Sequence, residues 1–310
     1  MTIRLNKLIE EENLAWSSST IRPKDFIHNL SSHTLRELKS ESLPKIIGDI
    51  SQVLRNFPYL QKEMSKFYTS NLKNGVGFGV IKGLNNSKLS SNQKEIVYWM
   101  AASVLGTLLE QNAQGDIRYE VRDKGKKMEE GGRYSESRQA GVLHTDAIQW
   151  DNSPEIIGLL CLHPAMSGGE SVVMSAYSLH NRLLKDNPHL LEVMYSPFPF
   201  ETRKSGGEVS TIQKPIFQYS PKTGLRFEYI GTYVPLDSLT NEQKKAKELL
   251  DKTLEDKTLA VDIGKLEAEE MLFFMNHRLA HGRGSEFVNY PEPEKERIMV
   301  RAWLRDKNGN

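Results

Sequence analysis

The chain has one cysteine, no apolar run long enough to span a bilayer, and a formal net charge of only +1. Each shortage removes a class of protein. A lone Cys161 excludes any disulfide within the chain, so the fold must rest on a core, and a reducing compartment is expected. Cys161 sits in the apolar run IIGLLCLHPA and reads as a packing residue. Without a hydrophobic span of about 20 residues, no transmembrane helix is expected. Near-zero charge gives no global field to recruit nucleic acid or an anionic membrane, so neither is expected as a partner. The opening MTIRLNKLIEEENLAWSSS carries acids early and no apolar segment, so it does not read as a signal peptide, and a cytoplasmic location is expected.

What is present is ordinary globular composition, 38% hydrophobic and 26% charged over 310 residues, enough chain for a large core. One elaborated catalytic domain is expected over 1–310, with residues 1–42 as an N-terminal arm and a core over 75–305. Helical spacing runs from Leu43 to about Leu72 with a break near Pro58. GVGFGVIKGL then reads as a strand. Ser90 with Gln93, and Thr240 with Gln243, have capping-box spacing ahead of amphipathic runs. YSLHNRLLKDNPHLLEVMYS reads as helix interrupted before Pro188. IIGLLCLHP and ESVVMSA read as strands joined at Gly168–Gly169 by a tight hairpin. KPIFQYSPKTGLRFEYIG reads as another hairpin, and the end of the chain as two strands around a polar loop. Residues 121–140, charged and glycine-containing, read as a long loop and candidate active-site lid. A helical first half followed by short antiparallel strands suggests α+β, the strands closing into a barrel or jelly roll.

Within GVLHTDAIQW, His144 and Asp146 flank Thr145. On an extended backbone, residues two apart share a face, so an imidazole and a carboxylate reach one ion without distortion. A histidine on a loop after the apolar strand MLFF supplies a third ligand; spacing alone leaves His277 and His281 both open. Two imidazoles and a carboxylate on one side of an ion leave the other positions free, the logic of non-haem Fe(II) oxygenases. Zinc accepts the same ligands, as in hydrolases. In RIMVRAWLR, alternation places Arg297, Met299, Arg301 and Trp303 on one face and an apolar set on the other. An inward arginine needs an anion, which a dicarboxylate supplies.

VLHTD, LLCLHPAMSGGESVVMSA, MLFFMNHRLAHGRGSEF and RIMVRAWL, in that order, resemble the taurine dioxygenase and clavaminate synthase-like family of Fe(II)/2-oxoglutarate-dependent oxygenases. The resemblance covers about Gly75 to Arg305. It implies a double-stranded β-helix (jelly roll) with flanking helices, and Fe(II), 2-oxoglutarate and O2 as cofactor and co-substrates. The family's His-x-Asp/Glu pair falls on His144 and Asp146. Its distal histidine precedes a Gly-Arg pair, which selects His281. Its arginine for the far carboxylate of 2-oxoglutarate falls on Arg297, with Ser171 after the Gly-Gly turn beside it; Asn112, next to Gln111, lies where relatives place a polar group near the co-substrate. Related halogenases lack the carboxylate, and its presence at Asp146 points to oxygenation.

The resemblance thus implies hydroxylation of an unactivated C–H bond in a small polar molecule, an amino acid or a natural-product intermediate. Desaturation or cyclisation by the same chemistry is the alternative; a zinc hydrolase and a non-catalytic jelly-roll binding protein are the others. Substrate contacts are expected from Tyr134, Arg138, Gln149, Trp150, Tyr229 and Arg301. Homo-oligomerisation is left open.

Overall fold

A computed structural model describes residues 3–39, 42–44, 47–112, 114–127, 132–150, 153–203 and 209–307. In chain order its elements are α1 (Pro23–Phe26), β1 (Ile27–Asn29), α2 (Ser32–Glu37), α3 (Ile50–Val53), α4 (Pro58–Phe67), β2 (Phe78–Lys82), α5 (Ser91–Leu105), β3 (Gly106–Leu109), β4 (Tyr119–Val121), β5 (Ile156–His163) and β6 (Ser171–Ser175). There follow α6 (Ala176–Asp186), α7 (Pro188–Met194), β7 (Pro197–Arg203), β8 (Val209–Pro215), β9 (Phe217–Ser220), β10 (Gly224–Phe227), α8 (Asn241–Leu254), β11 (Val261–Gly264), β12 (Met271–Met275), β13 (Leu279–Arg283) and β14 (Ile298–Asp306).

Two sheets make the frame of this mixed helix-and-sheet fold. The larger runs β1-β2-β12-β5-β14-β3, with β4 also paired to β14; the smaller runs β11-β6-β13. Alternation along β14 explains how they are used. Val300, Ala302 and Leu304 join a core with α4 and α5 on the outer side of the large sheet. Met299 and Trp303 point the other way, into a second core that includes Val173 and Val261 of the small sheet. The sheets therefore face each other across that second core.

Local chemistry sets the helix boundaries. Gln93 N–H donates to Ser90 Oγ (3.4 Å) while Ser90 N–H donates to Gln93 Oε1 (3.0 Å). Thr240 and Gln243 repeat the arrangement at α8. Pro188 ends α6, and Asn187 Oδ1 accepts from Leu190 N–H to start α7.

Several expectations change. Gly168–Gly169 does not close a hairpin: β5 and β6 belong to different sheets, and the turn carries the chain between them with both glycines at positive φ. The end of the chain holds three strands, because β12 and β13 lie in different sheets and Asn276–Arg278 cross over. Alternation within one apolar-to-polar run does not reveal such a change of sheet. Residues 141–146 form no strand; one isolated antiparallel bridge joins His144 to His281, and Ala147 at φ 61° turns the chain away. The N-terminal segment packs on the body: β1 pairs in parallel with β2, and Trp16 and Phe26 are buried against Phe78. The β7–β8 hairpin was not expected at all. The 121–140 segment is described except for 128–131, which lie outside the described residues.

A glycine pair tests the turn between the sheets. A Cβ on Gly168 (φ 70°) would lie 2.0 Å from the Glu286 carbonyl oxygen, whereas one on Gly125 (φ 69°) meets nothing within 4 Å. Gly125→Ala should cost about 1–2 kcal/mol for the left-handed backbone alone. Gly168→Ala should cost distinctly more, about 3 kcal/mol or above, as the chain must move. Urea denaturation of both variants checks this; equal losses contradict the close approach.

Candidate metal centre

His144, Asp146 and His281 each offer one ligand atom, and these atoms lie within 4.8 Å of one another. Nε2 of each histidine is 3.7 Å from Asp146 Oδ1. The convergence is built by the backbone: His144 and His281 exchange both main-chain hydrogen bonds at 2.9 Å, setting their rings 4.6 Å apart. The two residues belong to distant parts of the chain, yet they act as a cross-strand pair.

Asp146 is held from several directions. Asn276, fully buried in the crossover between the sheets, accepts from Asp146 N–H (2.8 Å) and donates to its carbonyl (3.1 Å). Thr145 N–H donates to the Tyr229 carbonyl (2.8 Å), and Tyr229 N–H to Thr145 Oγ1 (2.9 Å). On the side chain, Oδ2 accepts from Arg301 Nη1 (3.0 Å) and Trp303 Nε1 (2.9 Å). Oδ1 is left facing the two imidazoles. Burial would raise this carboxyl, but Arg301, both histidines and the Trp303 N–H outweigh it and hold it at about 2.

The donor set fits a divalent transition metal. Burial lowers both histidines, His281 to about 3, so the imidazoles are neutral near pH 7 and need lose no proton to bind. His144 Nδ1 lies 2.8 Å from the Val142 carbonyl, which fixes the tautomer that leaves Nε2 free. Tyr134 stacks on the His144 ring (4.9 Å, 16°), and Phe274 packs on His281 (4.5 Å). His277, the other candidate, points elsewhere: it is buried near Ser153 Oγ (3.3 Å) in a polar cluster with Arg226 and Glu228.

These side chains line a cavity of about 880 Å³ between the sheets, within the range of small-molecule sites. Arg297 enters it from the position just before β14. It is only 8% exposed, its Cζ lies 4.9 Å from the Phe287 ring centre, and its Nη1 is buried without a hydrogen-bond partner among the described residues. A buried, unpaired guanidinium is costly and calls for an anion. Ser171 at the start of β6 lines the same cavity.

The remaining expected contacts divide. Tyr134, Gln149 and Trp150 line the cavity. Arg301 lines it too, but its hydrogen bonds go to Asp146 and to Gln111 Oε1 (2.8 Å). Asn112 reaches the wall while its side chain closes a local turn onto Gln114, Asp116 and the Asp116 carboxylate. Tyr229 is not a lining residue: its ring is fully buried beside Phe200 and Phe227, and its hydroxyl donates to Asp251. Arg138 also lies off the cavity, pairing on the surface with Asp123 at 3.0 Å. Sequence reasoning gave no role to Trp303, although it placed the residue on the inward face. Asn276 lacked any signal, and Arg283 was used only to choose His281.

Known proteins resemble this chain in sequence and in fold. Residues 53–303 match the model of the family described as taurine catabolism dioxygenase TauD, TfdA family. The FR-33289 synthase of Streptomyces rubellomurinus (strain ATCC 31215) is 29% identical over 255 residues, covering 77% of this chain and 71% of that protein. An asparagine oxygenase, solved with Fe(II), (2S,3S)-3-hydroxyasparagine and succinate, superposes with a TM-score of 0.70 at 14% identity, over 90% of this chain and 93% of that one. The non-heme iron oxygenase OrfP, solved with Fe and alpha-ketoglutaric acid, gives 0.63 at 14% identity, over 90% and 93% of the two chains. The chain belongs to the TauD/TfdA family and is an iron- and 2-oxoglutarate-dependent dioxygenase.

Proposed function

We propose that His144, Asp146 and His281 hold the iron, that Arg297 with Ser171 receives the far carboxylate of 2-oxoglutarate, and that the enzyme hydroxylates a C–H bond of a small anionic molecule. The observation that carries this reading is the buried, unpaired Nη1 of Arg297 in the same cavity as the three-donor cluster. A zinc hydrolase has no use for that second cation. The two facing sheets are read as the halves of a distorted double-stranded β-helix (jelly roll), in one catalytic domain.

Iron with 2-oxoglutarate and O2 would supply the oxidising chemistry: the keto acid loses CO2 and takes one oxygen atom of O2 to become succinate, and the other oxygen atom enters the C–H bond as a hydroxyl. The protein's part is positioning. Arg301 and Trp303 keep Asp146 ionised and turned so that one oxygen faces the ion. Trp150, edge-on to Trp303 at 5.7 Å, and Ile157 and Leu159 give the cavity apolar walls that exclude water.

Charge narrows the substrate. Among the described lining residues, the four arginines Arg133, Arg283, Arg297 and Arg301 outnumber the two carboxylates, Asp146 and Glu170. The iron dication and the 2-oxoglutarate dianion cancel each other, so the surplus of positive charge remains to attract an anionic substrate. The amino-acid-derived ligand of the asparagine oxygenase and the biosynthetic name of the Streptomyces relative support an amino acid or a natural-product intermediate.

Two variants test the assignment. Asp146→Ala should abolish Fe(II) binding and succinate formation while the protein remains folded by circular dichroism; iron retained at full stoichiometry contradicts the ligand set. Arg297→Lys keeps the charge and loses the planar fork, so the 2-oxoglutarate KM should rise about 10- to 100-fold, matching one or two lost charge-assisted hydrogen bonds. An unchanged KM places the carboxylate elsewhere. Succinate formation stimulated by acidic amino-acid-like compounds, and by none of their neutral amides, supports the anionic substrate; the reverse pattern overturns it.

A further inference from the structure

Arg283 lies two residues beyond His281 on β13, and its guanidinium is committed to main-chain oxygens. Nη1 donates to the carbonyls of Ser137 (2.7 Å) and Gln139 (2.8 Å), and Nη2 to that of Tyr134 (3.5 Å). Its own carbonyl accepts from Gly141 N–H at 2.9 Å, and Phe287 N–H donates to the Arg138 carbonyl at 3.2 Å. One side chain thus fastens residues 134–139 along the cavity, and that strap carries Tyr134, the residue stacked on His144.

The fastening is electrically uneasy. Arg283 and Arg297 lie against the same buried ring, with Cζ atoms 4.8 and 4.9 Å from the Phe287 centroid. Two cations flanking an apolar ring repel each other with little screening. An anion on Arg297 removes that repulsion.

We infer that Arg283 is a positioning residue that couples co-substrate binding to the strap: a carboxylate seated on Arg297 relieves its repulsion of Arg283 across Phe287, which tightens residues 134–139 and sets Tyr134 over His144. The inference rests on the proposed placement of 2-oxoglutarate at Arg297. It gives the substrate side of the cavity its finished wall only after the co-substrate has arrived.

Hydrogen exchange on the full-length Fe(II)-loaded enzyme, kept anaerobic, tests it with and without 2-oxoglutarate. The reporters are the amides of Glu136, Ser137, Gln139 and Gly141, with those of α8 as reference. In the wild type, 2-oxoglutarate should slow the reporters roughly three- to tenfold and leave α8 unchanged. Arg283→Lys should speed them about tenfold, the worth of one lost hydrogen bond to a charged group, and abolish the response to 2-oxoglutarate. Calorimetry should show that this variant still binds 2-oxoglutarate within about threefold of the wild type. Saturated wild type with unchanged strap exchange overturns the coupling, whatever the variant does. A strap that still responds in Arg283→Lys overturns the role of Arg283. The placement of 2-oxoglutarate is tested separately: Arg297→Gln that binds it as tightly as the wild type removes that premise, while the exchange effect of Arg283→Lys without co-substrate still reports the latch.

Discussion

The two oxygens of Asp146 are not equivalent, and the centre depends on that difference. Arg301 and Trp303 both donate to Oδ2, so Oδ1 is the oxygen turned to His144 and His281. A carboxylate free to rotate would spread its charge over several orientations; this one is fixed by two directional donors. The same donors keep it ionised against the cost of burial. Both come from one face of β14, two residues apart, and so a strand period supplies the orientation.

Positions further out repeat the pattern, with the surroundings of Asp146 built from groups that sequence separates widely. Asn276 pins the Asp146 main chain from the crossover between the sheets, and Thr145 pins it from the Tyr229 side. Gln111 accepts from Arg301 Nε and donates to the Arg301 carbonyl, which locks the arginine that locks the carboxylate. Such chains of satisfied buried groups resist rearrangement because breaking any member leaves another unpaired in low dielectric.

Much of this was legible in the sequence where a short-range rule applies. The capping boxes at Ser90 and Thr240, the break at Pro188 and the two faces of β14 follow from local spacing and appear in the structure. The His144, Asp146 and His281 convergence was legible through the family resemblance rather than spacing, which left His277 open. What escaped was non-local. Gly168–Gly169 read as a hairpin because nothing in those residues says that the flanking strands join different sheets. Tyr229 and Arg138 were expected at the substrate, being polar and near the right segments. Their fates were decided by partners, Asp251 and Asp123, that no periodicity identifies. Asn276 belongs to the same class: its importance is a matter of which main chain lies across from it.

The arginines show why residue type alone underdetermines a cavity. Four line it, yet they do four different things. Arg301 orients a carboxylate, and Arg283 binds three carbonyls. Arg297 keeps a buried donor unsatisfied, while Arg133 stands exposed on the wall. Guanidinium suits all of these because it stays charged when buried and offers donors in a fixed plane. Burial differs in its consequence with what each one faces. Where a carboxylate or carbonyls already meet the donors, burial makes a rigid strut. Where no acceptor meets them, the same desolvation becomes a driving force for binding an anion. The distinction between a strut and a receptor is therefore set by the acceptors the fold brings up to each arginine.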